Sequence, residues 1–222
     1  MSLTILHEDN HLLVVVKPAT LPTMGVAADK PSLLGMARQY IQQKYHKPGN
    51  VYLGIVSRLD APVTGIVLLA RTSKAAARLT EQFRTRQVEK TYWTVVDAPL
   101  DPPEGTLVDW LRKDERHRRV HVARENQSGA QRAELRYRTL RRLTRGVLLE
   151  IELVTGRKHQ IRVQLAARGA PVAGDRKYGS RRPFPAGIAL HSRRLCFQHP
   201  VGGHSVELVA PLPSTWKEIG VD

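Results

Sequence analysis

The stretch from His11 to Pro18 reads HLLVVVKP. Its apolar run is β-branched, too short for a core helix, and closed by a proline that cannot donate to a sheet ladder. It reads as a strand, and the pattern recurs along the chain. Ile5–Asp9 precedes it across an Asp9-Asn10 turn. Val51–Val56, Gly65–Arg71, Lys90–Val96, Gln131–Arg141, Gly146–Val154, Leu190–Gln198 and Ser205–Val209 are further strands. Gly202-Gly203 joins the last two as a hairpin. Helical spacing occurs over Ser32–Tyr45 and from an N-cap at Ser73 to about Gln87. A third helix runs over His159–Arg168, with Gly169 just past its end. Hairpin-like spacing outnumbers β-α-β spacing. The expected fold is therefore α+β, a mixed and mainly antiparallel sheet flanked by helices. No repeat, low-complexity tract or long linker interrupts the chain, so one domain over residues 1–222 is expected.

Charge narrows the function. Thirty-five Lys and Arg face 20 Asp and Glu, a formal net charge of +15 in 222 residues. Such a chain is drawn to polyanions, because each neutralised phosphate releases condensed counterions. The cations are mostly arginines and are clustered, within Arg112–Arg124 (DERHRRVHVAR) and Arg136–Arg145 (RYRTLRRLTR). Nucleic acid is favoured over a membrane surface, since no strongly apolar amphipathic helix accompanies the charge. No run approaches the roughly 20 apolar residues that cross a bilayer, and MSLTILHEDN has no signal-peptide character. Cys196, the single cysteine, excludes a disulfide framework and a cysteine zinc site. It is expected in the core, and a reducing cytoplasm is the expected compartment.

The segment SRLDAPVTG (57–65) separates two apolar runs. A turn carboxylate is usually structural. Here Arg58 lies two positions before Asp60, on the same face of an extended segment. The loop after the acid is stiffened by Pro62 and ended by Gly65. Asp60 is thus a catalytic candidate. TGRKHQIR (155–162) crowds Arg157, Lys158, His159 and Arg162 around a turn that leads into a helix. A helix N-terminus already favours anions, so cations there are costly for a purely structural purpose, with a solvated basic face as the alternative. Arg162, between Ile161 and Val163, is expected to point partly inward and to need an acidic partner. Tyr92 in KTYW is either a core aromatic or a stacking platform for a base. His117 and His121 are four apart, but their segment alternates like a strand and metal binding is not expected. No nucleophile elbow or phosphate-cradling glycine loop is present.

Taken together these segments resemble the RluA-type RNA pseudouridine synthases. SRLDAPVTGIVLLARTSKAA resembles the catalytic motif, EDNHLLVVVKPATLPTM the opening motif and VEKTYW the KTY motif. TGRKHQIRVQLAARGAPVAGDRKYG resembles the longest signature, and LHSRRLCFQHPVGG and APLP the closing segments. The resemblance implies a central basic catalytic cleft and isomerisation of uridine in ribosomal or transfer RNA, with no metal or organic cofactor and a monomeric protein. It implies Asp60 as the essential aspartate and Arg162 as its partner, keeping the carboxylate charged. Tyr92 would pack on the target ring, and Arg58 would fill the gap left by the displaced nucleotide. Ile161 would line the pocket, with Arg157 and His159 contacting substrate. Ser57 stands where the family has His, and Val63-Thr64 where it has Thr-Ser. The chain begins at the catalytic motifs, so no S4-type RNA-binding domain in front is expected. The alternative is a non-catalytic RNA-binding or RNA-chaperone protein on the same scaffold, which would not need Asp60, Tyr92 and Arg162 together. A metal-dependent nuclease would need an acidic cluster that the sequence lacks.

Overall fold

The computed structural model describes residues 3–27 and 29–221. In chain order the strands are β1 (Thr4–Glu8), β2 (Leu12–Lys17), β3 (Gly54–Ile55), β4 (Thr64–Ala70), β5 (Glu89–Val96) and β6 (Glu104–Asp114). Then come β7 (Arg119–Ala123), β8 (Gln131–Arg142), β9 (Val147–Leu153), β10 (Leu190–Gln198) and β11 (Ser205–Val209). The helices are α1 (Leu33–Lys44), α2 (Ser73–Arg84) and α3 (Gln160–Ala166). Two compact units result. The first is Met1–Glu89 with Ser192–Pro213, the second Lys90–His191 with Ser214–Asp222.

In the first unit β1, β2, β4 and β10 are neighbours in that order, β11 pairs with β10, and β3 pairs with β4. β1–β2, β2–β4, β3–β4 and β10–β11 are antiparallel. β4 is buried along its whole length, and its side chains divide between two cores. Ile66, Leu68 and Ala70 join Leu12, Val14, Leu195, Phe197 and the α2 residues Ala75 and Leu79. Val67 and Leu69 join Leu13, Val15 and the α1 residues Leu33, Ala37 and Ile41. A strand with apolar neighbours on both faces has no polar side to show, which is why LLVVV and IVLLA read as unbroken apolar runs.

Both helices are capped by side chains. Ser32 Oγ accepts from the Gly35 N–H at 3.2 Å and Thr72 Oγ1 from the Ala75 N–H at 3.2 Å. The cap of α2 is thus Thr72, one residue before the expected Ser73. Both hydroxyl residues can cap, and the backbone turn selects the first. The expected strand Val51–Val56 shrinks to Gly54–Ile55, because Val51 and Leu53 are buried with the α1 core rather than laddered. Cys196 is half-buried, not a core residue. Strand alternation turns it away from Leu195 and Phe197, which take the core positions. The β1–β2 turn is organised by Asp9, whose carboxylate accepts from the His11 and Leu12 N–H groups at 2.6 and 2.7 Å.

The second unit is an antiparallel sheet in the order β5-β9-β8-β6-β7. Leu111, Val120 and Ala133 of the sheet pack on Val163 of α3. The opposite, solvated face carries cross-strand charge pairs. Arg138 on β8 meets Glu150 on β9 at 2.7 Å, and Arg136 approaches Glu152 at 3.9 Å. Part of the arginine cluster at 136–145 is therefore countered by acids of its own sheet. Among the described residues no helix is long and apolar enough to cross a membrane.

Candidate active site

Asp60 lies in the irregular segment between β3 and β4, in the first unit, and is half-buried. A segment without ladder bonds would be free to move, yet this one is pinned along its length. At its start Ser57 Oγ accepts from the Leu68 N–H of β4 at 2.9 Å, so the serine that departs from the family's histidine fastens the loop to the sheet. Next, Thr23 Oγ1 donates to the Leu59 carbonyl at 2.8 Å and accepts from the Leu59 N–H at 3.2 Å. The Asp60 carbonyl accepts from the Val63 N–H at 3.0 Å, closing a turn. The Ala61 carbonyl accepts from Lys17 Nζ at 2.9 Å. Each side of Asp60 is thus held by a residue from the end of β2 or the loop after it. Arg58 is exposed.

Lys17 is the residue that sequence reasoning missed here. It is wholly buried, and its ammonium donates to three carbonyls: Pro18 at 2.9 Å, Leu21 at 2.8 Å and Ala61 at 2.9 Å. Three donors meet three acceptors, as a buried ammonium requires. Burial pushes its pKa down to about 8, against the opposing pull of the Asp60 charge. The available signal was a lysine that ends an apolar run, directly before proline, where a solvated charge has no place.

Behind the loop, Gly65 is set by close approach. Its φ is +112°, and a Cβ there would lie 2.3 Å from the Ser192 carbonyl oxygen and 2.6 Å from the Ser192 nitrogen. No L side chain fits that gap. The β-carbon-free position lets β4 start directly against β10, so the strand begins within five residues of Asp60.

The remaining candidates belong to the second unit. Tyr92 is half-buried on β5, opposite Ile151 of β9. Ile161 and Arg162 are on α3 and are 4% and 5% exposed. The expected inward turn of Arg162 is found. Its Nε lies 2.6 Å from Asp175 Oδ2 and its Nη2 3.0 Å from Asp175 Oδ1, a bidentate pair whose acid is 1% exposed. Its guanidinium also lies 5.0 Å from the centre of the Tyr178 ring. Asp175 precedes, and Tyr178 ends, a short 3-10 turn, Arg176–Tyr178. Neither was singled out in the sequence, although both lie in the GDRKYG end of the long signature.

The turn before α3 is held by Gln160. Its Oε1 accepts from Thr155 Oγ1 at 2.8 Å and from the Arg157 N–H at 2.9 Å, and its Nε2 donates to the Glu134 carbonyl at 3.0 Å. Arg157 is exposed, with Nε donating to the Arg132 carbonyl at 3.0 Å. His159 takes the helix N-cap in the left-handed region, φ +54°, and makes no side-chain cap. That conformation costs about 1–2 kcal/mol. Its ring is occupied elsewhere: Tyr178 Oη accepts from the Val120 N–H at 3.0 Å and shares a hydrogen bond with His159 Nδ1, 2.6 Å away.

A sequence profile described as RNA pseudouridylate synthase matches residues 11–167. The chain belongs to this family. Its similarity extends beyond the profile. A ribosomal large subunit pseudouridine synthase D of Xylella fastidiosa is 35% identical over 225 residues, which cover 95% of this chain and 66% of that protein. An uncharacterized RNA pseudouridine synthase of Bacillus subtilis, YlyB, is 33% identical over 224 residues, covering 99% and 72%. The chain thus spans about two thirds of the length of these curated relatives. Among solved structures, human RNA pseudouridylate synthase domain containing 4 superposes with a TM-score of 0.80 at 26% identity, covering 96% of this chain and 90% of that one. The family fold is accordingly the mixed, mainly antiparallel α+β arrangement described above.

Proposed function

We propose that the chain is an RNA pseudouridine synthase that isomerises specific uridines, with Asp60 as the essential catalytic group and residues 1–222 as one catalytic domain. The family profile runs across both compact units, so neither unit holds all of the matching sequence. The single observation that carries the reading is the pinned loop on both sides of Asp60. Asp60 stands on a loop bound at Ser57, Leu59 and Ala61 by groups from other elements. Holding a reacting group in place before substrate arrives removes the entropy cost of ordering it during the reaction. A turn-forming acid needs no such support.

The reaction breaks the N1–C1′ bond of uridine, turns the uracil and forms a C5–C1′ bond. N1 ends protonated and C5 gives up its proton, so no electrons are exchanged with the surroundings. Asp60 serves as nucleophile at C1′ or C6, or as base toward the sugar. Arg162 pairs with that carboxylate in this reading, and its bidentate bond to Asp175 supplies the rigid mount from which it does so. Tyr92 packs on the target ring, Arg58 fills the space of the displaced nucleotide, and Ile161, Arg157 and His159 contact the substrate. Unstacking the target costs a few kcal/mol, which Arg58 offsets. The strained N-cap at His159 suits a functional position.

Ribosomal RNA is the favoured substrate, because relatives that cover most of this chain are named ribosomal large subunit synthases. A cytoplasmic, monomeric protein fits that role. Asp60→Asn and Asp60→Ala are expected to abolish pseudouridine formation and to leave RNA binding nearly intact, measured by pseudouridine-specific mapping and by direct binding. Full turnover by either variant refutes the assignment. Mapping total RNA from cells with and without the gene identifies the target, and loss of a transfer-RNA position instead of a ribosomal one would redirect the substrate.

A further inference from the structure

The second unit contains a cleft of about 820 Å³ between the edge strand β7 with its preceding turn, α3 and the 3-10 turn at Arg176–Tyr178. None of Arg58, Asp60, Tyr92, Ile161 and Arg162 lines it. Its rim carries Arg119, Arg176, Lys177, His117 and His121, against one carboxylate, Asp114. That acid is already engaged: it accepts from the His117 N–H at 3.0 Å and lies 2.7 Å from His117 Nδ1. Its floor is apolar, formed by Val122, Ala166 and Ala167. Val122 is 42% exposed, although it sits in the middle of a strand.

The cleft is built rather than incidental. Lys177 Nζ donates to the Arg118 carbonyl, at a residue whose φ is +49°. Two residues on, the Val120 N–H donates to Tyr178 Oη. The edge strand is thereby tied to the 3-10 turn at two points, and the cavity between them is held open. Along β7 the alternation turns Val120 and Val122 toward α3 and Arg119 and His121 to the other side, and residues of both sides line the cleft because β7 is an edge strand. A cationic rim over a small apolar floor fits a chain with spaced negative charges and flat apolar faces. An acidic peptide offers charge without a flat face, and a lipid surface cannot enter a concave site of this size.

We propose that this cleft is a second RNA-binding site that receives two backbone phosphates of the substrate and lays an unstacked nucleotide on Val122 and Ala167. The proposal rests on the RNA-modifying reading above for the identity of the polyanion. It assigns the cleft to capture of RNA and not to isomerisation of RNA already bound.

The test uses the full chain with Arg119→Gln and Arg176→Gln together, both exposed positions, while Lys177 and Tyr178 stay intact because they hold the cleft's shape. Anisotropy of a labelled RNA fragment is measured from about 50 to about 200 mM salt. Loss of two phosphate contacts is expected to reduce the slope of log K against log salt by about 1.4, taking about 0.7 per contact on single-stranded RNA. Affinity is expected to fall about tenfold or more, KM to rise accordingly, and kcat at saturating RNA to stay unchanged. Arg136→Gln with Arg138→Gln is the control; these side chains already face Glu152 and Glu150, and their slope is expected to stay at the wild-type value. An unchanged slope in the cleft variant, an equal change in the control, or a fall in kcat with KM unchanged would each overturn the proposal. So would displacement of RNA by polyglutamate as effective as by unlabelled RNA. Because the readout is binding, it stands even if Asp60→Asn keeps full turnover, a result that would sink the catalytic assignment alone.

Discussion

Replacing Lys17 by methionine tests whether the Asp60 loop is clamped from the end of β2. The substitution keeps the length of the stem and removes the ammonium with its three hydrogen bonds. Bonds to a charged group are worth about 1.5–3 kcal/mol each, so three contribute about 5–9 kcal/mol. Burial of the charge opposes them. The pKa falls from 10.5 to about 8, a difference of 2.5 units, or about 3 kcal/mol at 1.36 kcal/mol per unit. Lys17→Met is therefore expected to lose about 2–6 kcal/mol at neutral pH and to isomerise RNA poorly, since the Ala61 carbonyl beside Asp60 is released. The pH dependence has a definite sign. Lys17 binds its proton less tightly in the folded than in the unfolded state. The cost of its charge is present below about pH 8 and disappears as pH rises from about 8 to 10.5. Wild type should gain up to about 3 kcal/mol over Lys17→Met across that window. Activity should move the other way: a neutral amine has two donors for three carbonyls, so one clamp bond is lost above about pH 8. Urea unfolding of both proteins from about pH 7 to about pH 10, beside turnover of the wild type, measures both effects. A pH-independent stability difference together with full turnover by Lys17→Met would refute the clamp.

Asp175→Asn removes the carboxylate charge and one acceptor of the buried bidentate pair with Arg162; about 3–5 kcal/mol of stability should be lost in urea unfolding. An unchanged midpoint would mean that Arg162 is not held in the way its geometry indicates. Gly65→Ala places a methyl group 2.3 Å from the Ser192 carbonyl oxygen at a φ of +112°. β4 and β10 must then separate, at a cost of about 1–3 kcal/mol for overpacking and more for the backbone. A thermal midpoint equal to wild type would deny the close approach.

Much of the candidate site could be read directly. Asp60 and Arg162 stand out because a charge among apolar neighbours is costly unless it has work or a partner, and the inward turn of Arg162 could be inferred from Ile161 and Val163 beside it. Its partner could not, because Asp175 is thirteen residues away and nothing in local spacing selects it over other acids. β6 escaped notice for a related reason. Its buried residues Leu107 and Leu111 are four apart, and the position between them is Asp109, which bonds Arg168 at 2.6 Å and Gln164 at 2.8 Å. An acid at an inward position breaks the period-two signal that marks a strand. The arginines of 136–145 were read as phosphate ligands, but Arg136 and Arg138 face Glu152 and Glu150 across the ladder, and cross-strand register is invisible until the strands are paired.

By itself the sequence determined most of the strands and the three helices, which family the chain resembles, and which acid and arginine carry that resemblance. These depend on neighbours within a few residues, and local sterics and periodicity encode them. The tertiary structure alone decided that Lys17 reaches Ala61, 44 positions away, that Arg162 finds Asp175, and that Tyr178 ties β7 to His159. Long-range partners are chosen by which surfaces the packed cores bring together, and a buried charge takes whichever acceptors that packing leaves within reach.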